Sequence, residues 1–479
     1  MMDRRNLIEL GAAAALGACA RREQPARADY VIRIEPARIE LAPGVEVATT
    51  TYNGAFPGPL LRLDEGRPVT VDIANRTARP EQLHWHGQKV PVAVDGAAEE
   101  GAPYIPAHGA RRIRFIPGPA GFRFYHTHVR AGADLDLGLY GGEAGPVWIA
   151  PRSEPGRYDR EVFLTLKEFG PTLSRGGDMA QDFLRPASED PALRSAGESA
   201  MSASLAKGMP HGYEVGYRWF TVNGRILGHG EPVRVRAGER VLFHVLNASA
   251  TEIRSLALPG HRFEVVALDG NPVPNPALVD ALWIGTAERV DAVVEMNQPG
   301  VWVLGDLDEG DRGNGMGIVV EYAGAAGAPQ WRAPKAKPAW DYRWFARTGA
   351  SAPPDHVFDM TFAKANAADD GFNRWTINGV AFDEARMRPV LTLREGARYR
   401  LRMRNASDDI HPVHLHRHSF ELTNLDGSPT AGVLKDVAML GGYQTMAVDF
   451  VADDPGMTLF HCHQQLHMDF GFMALFAYA

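Results

Sequence analysis

The sequence predicts an all-β protein built from three Greek-key β-sandwich domains. Three observations support this: many short runs alternate apolar and polar residues, turn-forming residues are abundant (50 glycines and 34 prolines), and one strand pattern occurs three times. Residues 69–75 and 399–405, for example, alternate as half-buried strands do. Few segments have a helical period.

The composition favours a soluble globular protein. Of its 479 residues, 45% are hydrophobic and 23% are charged, which argues against disorder and against a membrane-embedded bundle. The net charge of −8 and the lack of a long basic run argue against a nucleic-acid partner. With only two cysteines, Cys19 and Cys462, a disulfide scaffold is excluded.

Residues 1–27 are predicted to be an export signal. Arg4 and Arg5 precede a modest apolar run that is too short to span a bilayer, and the whole resembles a Tat signal, which the Tat translocase recognises. Two outcomes stay open at its end, because Ala18-Cys19-Ala20 fits a cleavage site and residues 16–19 resemble a lipobox. We therefore expect export to the periplasm through Tat, either with the signal removed or as a lipoprotein anchored through Cys19.

Three copies of one unit follow the leader. Their aligned glycines are Gly66, Gly238 and Gly396, and a matching asparagine follows each glycine nine residues later. An Asn-Gly turn precedes each copy, beginning at residues 53, 223 and 378. Periods this long are whole domains, and we place them at 28–152, 157–326 and 340–479. Residues 323–338 form the expected linker, and residues 172–215 are expected to be a long loop or a short helical insertion.

Histidines recur in a spacing that is rare by chance. A short motif has to be compared with its frequency by chance, and a chain of this composition is expected to contain roughly 0.6 His-x-His pairs. The sequence has five, which are His84/His86, His126/His128, His414/His416, His416/His418 and His461/His463. Residues i and i+2 of a strand point to the same face, so each pair can hold a metal from one side.

The repeats place these pairs at equivalent positions. Nine residues after its asparagine, the first copy has His84 and His86, and the third has His414 and His416. The second shared block likewise ends in 126–128 and 461–463 in these two copies, whereas the middle copy has no histidine at either position. Eight histidines are therefore expected at an interface of the first and third domains, with the middle domain as a spacer.

Cys462 points to the opposite face from His461 and His463, so it can bind a different metal. His411 lies three residues before His414, and His467 lies five residues after Cys462. One thiolate with two imidazoles is the trigonal ligand set of a blue-copper site. A short covalent path would then link that copper to the histidine cluster.

These residues resemble the multicopper oxidases, a laccase-like family of three cupredoxin domains. Its four copper motifs stand here as HWHG at 84–87, HTH at 126–128, HPVHLH at 411–416 and HCHQQLH at 461–467. The resemblance implies three cupredoxin-like domains and four coppers: one type 1, one type 2 and two type 3. The implied ligands are His411, Cys462 and His467 for type 1; His84 and His414 for type 2; His86, His126 and His463 for one type 3 copper; and His128, His416 and His461 for the other.

Asp95 lies where the family has an acidic residue near the three-copper cluster. The resemblance implies that it orients a ligand and supplies protons to reduced oxygen. The alternative is an ordinary turn residue in Asp95-Gly96. His418 is outside the family's ligand set, and the six unpaired histidines are expected to be structural or on the surface; they are His108, His211, His229, His244, His261 and His356.

Two positions depart from the family pattern. The axial ligand position of the type 1 copper falls ten residues after the cysteine, at Phe472, which cannot bind a metal. Met468 and Met473 flank it but lie out of register. Met468 also directly follows His467, where some bacterial members have an acid.

The resemblance implies an oxidase that takes single electrons from a small reducing substrate and reduces O₂ to water. A phenol or an aromatic amine is the first expectation, and Cu(I), Fe(II) or Mn(II) is the second. Capture of a soft metal favours a methionine-rich insertion, yet residues 170–215 contain only Met179, Met201 and Met209. A copper nitrite reductase does not need all four His-x-His motifs, and a copper-free binding scaffold should lack Cys462.

Overall fold

The computed structural model describes residues 27–151, 157–174, 212–335, 339–369, 371–386 and 388–479, and it confirms the all-β prediction. The predicted signal with Cys19, most of the 172–215 insertion and His211 lie outside the described residues. Helices in the described part are short; they are Val92–Asp95, Glu309–Gly313 and Gln465–Asp469, with 3₁₀ turns at Ala98–Glu100, Gly138–Tyr140, Tyr342–Phe345 and Glu384–Arg386. No helix among the described residues is long and apolar enough to cross a membrane.

The first repeat folds into two four-stranded sheets, ordered β2-β1-β4-β6 and β3-β8-β7-β5. Apolar side chains of both sheets share one core, as in a β-sandwich. Its strands are β1 (Tyr30–Ala42), β2 (Val45–Tyr52), β3 (Leu61–Asp64), β4 (Val69–Asn75), β5 (His84–His86), β6 (Ala110–Phe115), β7 (Gly121–His126) and β8 (Ala144–Ala150).

The second repeat has sheets ordered β10-β9-β12-β17-β14-β15 and β11-β19-β18-β13-β16. Its strands are β9 (Arg160–Ser174), β10 (Glu214–Val222), β11 (Val233–Val235), β12 (Arg240–Asn247), β13 (Arg254–Ala257), β14 (Phe263–Leu268), β15 (Asn271–Val279), β16 (Leu282–Ile284), β17 (Arg289–Glu295), β18 (Val301–Asp306) and β19 (Gly317–Tyr322). The ends of β9 and β10 occupy both margins of the expected 172–215 loop, so that prediction was too long at each end.

The third repeat has sheets ordered β21-β20-β23-β29-β25-β26, with β27 also on β25, and β22-β31-β30-β24-β28. Its strands are β20 (His356–Asp369), β21 (Phe372–Ile377), β22 (Leu391–Leu393), β23 (Arg398–Asn405), β24 (His411–Leu415), β25 (Phe420–Leu425), β26 (Ser428–Pro429), β27 (Leu434–Lys435), β28 (Val437–Leu440), β29 (Thr445–Val451), β30 (Thr458–Cys462) and β31 (Met473–Tyr478).

The three repeats share the same two parallel strand pairs. In each, the first sheet contains one parallel pair, β1/β4, β9/β12 and β20/β23, and the second sheet contains another, β3/β8, β11/β19 and β22/β31. The three predicted Asn-Gly turns are also alike, because both residues of each have positive φ, as a tight hairpin turn requires. The domain boundaries at 152, 157, 326 and 340 stay predictions.

Candidate metal centres

Cross-strand pairing puts the histidines of each repeat side by side. β5 lies antiparallel to β7 with His84 opposite His126, and β24 lies antiparallel to β30 with His414 opposite His461. The equivalent strands of the second repeat, β13 and β18, place Leu256 opposite Asp306. The middle repeat therefore keeps the fold of the site without its imidazoles.

The first and third repeats bring these strands together in one buried cluster. The rings of His84 and His416 stack with centroids 4.1 Å apart, and those of His86 and His414 stack at 3.8 Å. Each member of the cluster is at most 2% exposed to solvent. The members are His84, His86, His126, His128, His414, His416, His461 and His463.

Ligand atoms of this cluster fall into overlapping groups, and within a group all atoms lie within 4.8 Å of one another. The groups are His86 with His126 and His463; His128 with His416 and His461; His84 with His86 and His414; and His84 with Asp95 and His416. The first two contain the same residues as the two type 3 sets that the family resemblance implies.

Several buried ring nitrogens of the cluster have no hydrogen-bond partner among the described residues. They are Nε2 of His84, His128 and His414 and both ring nitrogens of His463. Leaving a buried polar atom unpaired costs free energy, and the neutral imidazole nitrogen is a good copper ligand. The residues present therefore fit bound copper.

Burial keeps most of these imidazoles neutral. It lowers their pKa values well below the ordinary value, and neighbouring groups lower them further; this holds for His86, His126, His414, His416, His461 and His463. His128 differs: burial also lowers its pKa, but the facing carboxylate of Glu99 outweighs burial and raises it. A histidine must be neutral at the ligating nitrogen to bind a metal.

Asp95 lies between histidines of two repeats. Its Oδ2 is 3.1 Å from Nδ1 of His84 and 3.0 Å from Nδ1 of His416. The helical turn that ends at Asp95 is followed by Gly96, with φ +92°, where an added Cβ would lie 1.9 Å from the carbonyl oxygen of Leu83. The turn thus brings the Asp95 carboxylate to the cluster. Asp95 is therefore both a turn residue and an acid that contacts two histidines of the cluster.

Three more carboxylates contact the cluster, and the sequence analysis missed them. Asp436 Oδ1 is 3.1 Å from His86 Nε2, and Glu99 Oε2 is 3.4 Å from His128 Nδ1. Glu100 Oε1 is 3.5 Å from Nδ1 of His416, and burial together with nearby Asp95 raises the pKa of Glu100 well above its usual range. Carboxylates at such positions fix the ring orientation and tautomer of a metal-binding histidine.

Cys462, His411 and His467 form a separate group, on the side of β30 opposite to His461. Cys462 Sγ is 3.7 Å from His411 Nδ1 and 3.5 Å from His467 Nδ1, and the two Nδ1 atoms are 3.2 Å apart. Burial lowers the pKa of His467 to about 3 and raises the pKa of the Cys462 thiol. A bound metal would displace the thiol proton that burial otherwise retains.

Aromatic rings enclose this group. The Trp375 ring lies 4.2 Å from the ring of His467 and 4.8 Å from that of His411. Phe472 contacts the same pocket, with its ring 4.7 Å from the His411 ring. These rings exclude water from the cysteine sulfur.

The two methionines near Phe472 face elsewhere. Met468 and Met473 are buried in a small apolar cluster with Leu459 and Leu475, whereas Phe472 belongs to the large core that contains Cys462. Phe472 is therefore the side chain beside the ligand group.

The remaining histidines have other roles. His418 is buried, with Nδ1 donating to the backbone oxygen of His416 and Nε2 bonded to the Tyr478 hydroxyl. His244 and His261 are buried and hydrogen-bonded to Asp291 and Tyr322. Three are exposed: His108, His229 and His356.

A surface cleft of about 830 Å³ is lined in part by residues that neighbour the cysteine group in sequence. Its wall includes residues 469–471, which join the helix of His467 to Phe472, and Arg374, the neighbour of Trp375. Asp383 and Glu384 line it as well. A small substrate in this cleft would contact residues that directly follow the helical turn containing His467.

Comparisons with known proteins agree on one family. Family models described as multicopper oxidase match residues 33–154, 200–323 and 351–479. The multicopper oxidase MmcO of Mycobacterium tuberculosis is 32% identical over 445 residues, covering 90% of this chain and 83% of that protein. Laccase-4 of Thanatephorus cucumeris is 24% identical, covering 89% and 85%. The crystal structure of a multi-copper oxidase from Pseudomonas thermotolerans superposes with a TM-score of 0.69 at 25% identity, covering 95% of this chain and 100% of that one.

Proposed function

The chain belongs to the multicopper oxidase family, and on that basis we propose that it is a laccase-like oxidase of phenols or aromatic amines. The main support is one short segment of sequence. Cys462, in the group with His411 and His467, is bonded through the backbone to His461 and His463 of the eight-histidine cluster. Electrons accepted at the first group thus have a short covalent route to the second.

Four coppers per chain are proposed, in the sets implied by the resemblance. His411, Cys462 and His467 would hold the type 1 copper, and His84 and His414 the type 2 copper. The type 3 pair would be held by His86, His126 and His463 and by His128, His416 and His461. The 4.8 Å groupings and the unpaired ring nitrogens support this division. When bound, copper supplies the one-electron chemistry and the reduction of O₂.

Asp95 has two proposed tasks. Its Oδ2 holds the rings of His84 and His416 through their Nδ1 atoms, which leaves the opposite nitrogens for metal. Its Oδ1 is buried and has no hydrogen-bond partner among the described residues. Through that oxygen Asp95 would pass protons toward reduced oxygen.

The ion pairs before His411 weaken the attraction of this region for a metal ion, which supports an organic substrate. Asp408 and Asp409 precede this ligand, but Lys364 forms ion pairs with both. Ser407, a neutral residue, contacts the Nε2 atom of His411 at 3.0 Å. Lys364 therefore offsets one of the two negative charges that lie closest to this ligand in sequence.

Oxidation of Cu(I), Fe(II) or Mn(II) is the second candidate. The surface cleft that includes residues 381–385 supports it, because the exposed side chains of Asp383 and Glu384 offer carboxylates there. Arg130 and Arg374 line the same cleft and oppose the binding of a cation.

Export through the Tat translocase to the periplasm is also proposed, with Cys19 either removed or lipidated. It is supported by Arg4, Arg5 and the short apolar run after them. Tat carries folded proteins, which suits a protein that must bind its metal before it leaves the cytoplasm.

The test compares a phenolic dye with Cu(I) as electron donors for the purified copper-loaded protein. We expect dye turnover that does not require added Cu(II), and an intense blue absorption. Cys462→Ser should lose both colour and turnover, whereas His414→Ala should stay blue and lose turnover only. Rapid Cu(I) oxidation with negligible dye turnover would select the second candidate, and a blue Cys462→Ser protein would overturn the ligand assignment.

A further inference from the structure

A fully buried set of charged side chains joins all three repeats next to His86. Asp436, from the third repeat, receives two hydrogen bonds from Arg289 of the second repeat, Nη1 to Oδ1 at 2.6 Å and Nη2 to Oδ2 at 2.5 Å. Arg123 of the first repeat adds a third, from Nη1 to Oδ2 at 3.0 Å. All three side chains are 0% exposed.

Asp436 connects this set to the candidate metal cluster. Its Oδ1 is 3.1 Å from Nε2 of His86, so that ring nitrogen carries the proton and donates it. The other nitrogen, Nδ1, faces the cluster and lies 3.3 Å from Nε2 of His126. The carboxylate therefore selects the tautomer in which Nδ1 of His86 is free to bind metal.

The second repeat also fixes the backbone of the Asp436 segment. Asp269 Oδ2 accepts hydrogen bonds from the backbone N–H groups of Asp436, at 3.1 Å, and Val437, at 3.0 Å. Its other oxygen accepts the backbone N–H of Arg289 at 3.0 Å. The Asp269 carboxylate thus fixes the backbone of both Arg289 and Asp436. A simple ion pair between two domains would not need this additional support.

The first repeat leaves room for this contact. An added Cβ at Gly87 would lie 2.5 Å from Asp436 Oδ2 and 2.8 Å from Arg289 Nη2. Gly87 directly follows His86, so the glycine of the His-Trp-His-Gly motif is where the Arg289–Asp436 pair packs against the chain. The pair and the metal-binding strand form one closely fitted unit.

We propose that Arg289, from the repeat that supplies no metal ligand, is a positioning residue for the histidine cluster. It holds Asp436 against His86 and so presents His86 Nδ1 to the type 3 copper. This inference rests on the proposed ligand assignment. The middle repeat is then more than a spacer, because it sets the geometry of a site to which it adds no ligand.

The experiment uses the full-length copper-loaded protein and four variants. Arg289→Met removes the charge and both donors, and Arg289→Lys keeps the charge but cannot bond both oxygens side by side. Asp436→Asn keeps the shape and removes the carboxylate. Arg254→Met is the matched control, since Arg254 is a fully buried arginine of the same repeat. Its ion pairs, with Asp311, Glu168 and Glu252, lie outside this set.

The readouts are copper per chain, the blue absorption, the share of copper detected by EPR, kcat and thermal stability. In the three variants of the set we expect the blue absorption to persist while affinity of the cluster for copper or kcat falls about 10- to 100-fold, as for other residues that orient metal ligands. EPR-visible copper should rise as the paired coppers lose their coupling. Arg289→Lys should fall between the native protein and Arg289→Met.

A purely structural role gives a different result. If Arg289→Lys and Arg289→Met only lower thermal stability, as Arg254→Met should, while copper content, EPR and kcat stay native, the inference is wrong. Failure of the proposed function would appear instead in the unmodified protein, which would not bind four coppers or turn blue. Should Arg289→Met fail to fold, Arg289→Lys and Asp436→Asn still decide the question.

Discussion

Phe472 contacts the His411 ring at the position where the family places an axial ligand of the type 1 copper. Its ring, 4.7 Å from that of His411, fills the space without offering a donor atom. The Cys462 backbone N–H also bonds to the Phe472 oxygen at 3.2 Å, which ties this residue to the cysteine strand. On the proposed ligand assignment we expect a three-coordinate type 1 site, which would favour Cu(I) over Cu(II).

Phe472→Met is therefore expected to lower the type 1 reduction potential. A thioether at this position would bind Cu(II) weakly and stabilise it, and each tenfold gain in preference for Cu(II) lowers a one-electron potential by about 59 mV. Turnover of poorly reducing phenols should slow first. Redox titration measures the shift, with Met473→Leu and Met468→Leu as controls. A native potential in Phe472→Met, with a large rise in either control, would contradict this placement.

Site residues could be predicted from the sequence only where they stand in a short, recognisable motif. The eight histidines and Cys462 stand in short motifs, and aligning the repeats predicted that the eight histidines lie together, as they do in the structure. Asp436 gave no such signal, because it lies 350 residues from His86 and no spacing pattern includes it. Glu99 and Glu100 follow Asp95 closely, but only the fold of the 91–101 loop turns them toward His128 and His416.

At the scale of elements, strands were predictable and short helical turns were not. The alternation of apolar and polar residues in β4 and β23 predicted both strands and their buried faces correctly, because one side of each sheet packs on a core. The helical turn Val92–Asp95 is too short to show a helical period. Its position is set by the close packing of Gly96 on Leu83, a tertiary contact that no local pattern reveals.

Gly96→Ala is expected to damage both stability and the candidate site. The methyl group would overlap the Leu83 carbonyl and the positive φ would be strained, which together cost on the order of 3 kcal/mol. Relieving the overlap moves Asp95 away from His84 and His416, so O₂ turnover should fall while the blue absorption remains.

Gly101→Ala is the matched control for this loop. Gly101 has nearly the same φ, +97°, but an added Cβ there would meet nothing within 4 Å. It should therefore lose only about 1 kcal/mol, the strain of the backbone alone, and keep its turnover. Urea unfolding and steady-state kinetics on both variants decide the matter; equal losses in the two would show that the Leu83 contact is unimportant.

At the scale of the whole molecule, His244 lies where the first two repeats meet. Its ring stacks on Phe163 at 4.4 Å and packs against Trp148 and Phe122 of the first repeat. Nδ1 is 2.8 Å from Asp291 Oδ1, so a positive charge is held in a buried interface. The sequence left this histidine as structural or exposed, because burial between domains depends on how they pack.

The charge on His244 predicts a pH-dependent stability. Burial alone lowers its pKa, but Asp291 and Glu161 outweigh burial and raise the pKa to about 9. Because the folded pKa exceeds the unfolded value near 6.5, this stabilisation is complete below pH 6.5 and is lost as the pH rises through 9. A shift of this size corresponds to roughly 3 kcal/mol as an upper bound.

His244→Gln should therefore be less stable than the native chain at pH 6, and the difference should shrink toward pH 9.5. Chemical unfolding of both proteins at each pH measures it, and the histidines of the candidate metal centres, common to both, cancel in the difference. His229→Gln, at an exposed site, is the control and should match the native protein throughout. A deficit in His244→Gln that is constant with pH would mean that the ring contributes by packing and not by its charge.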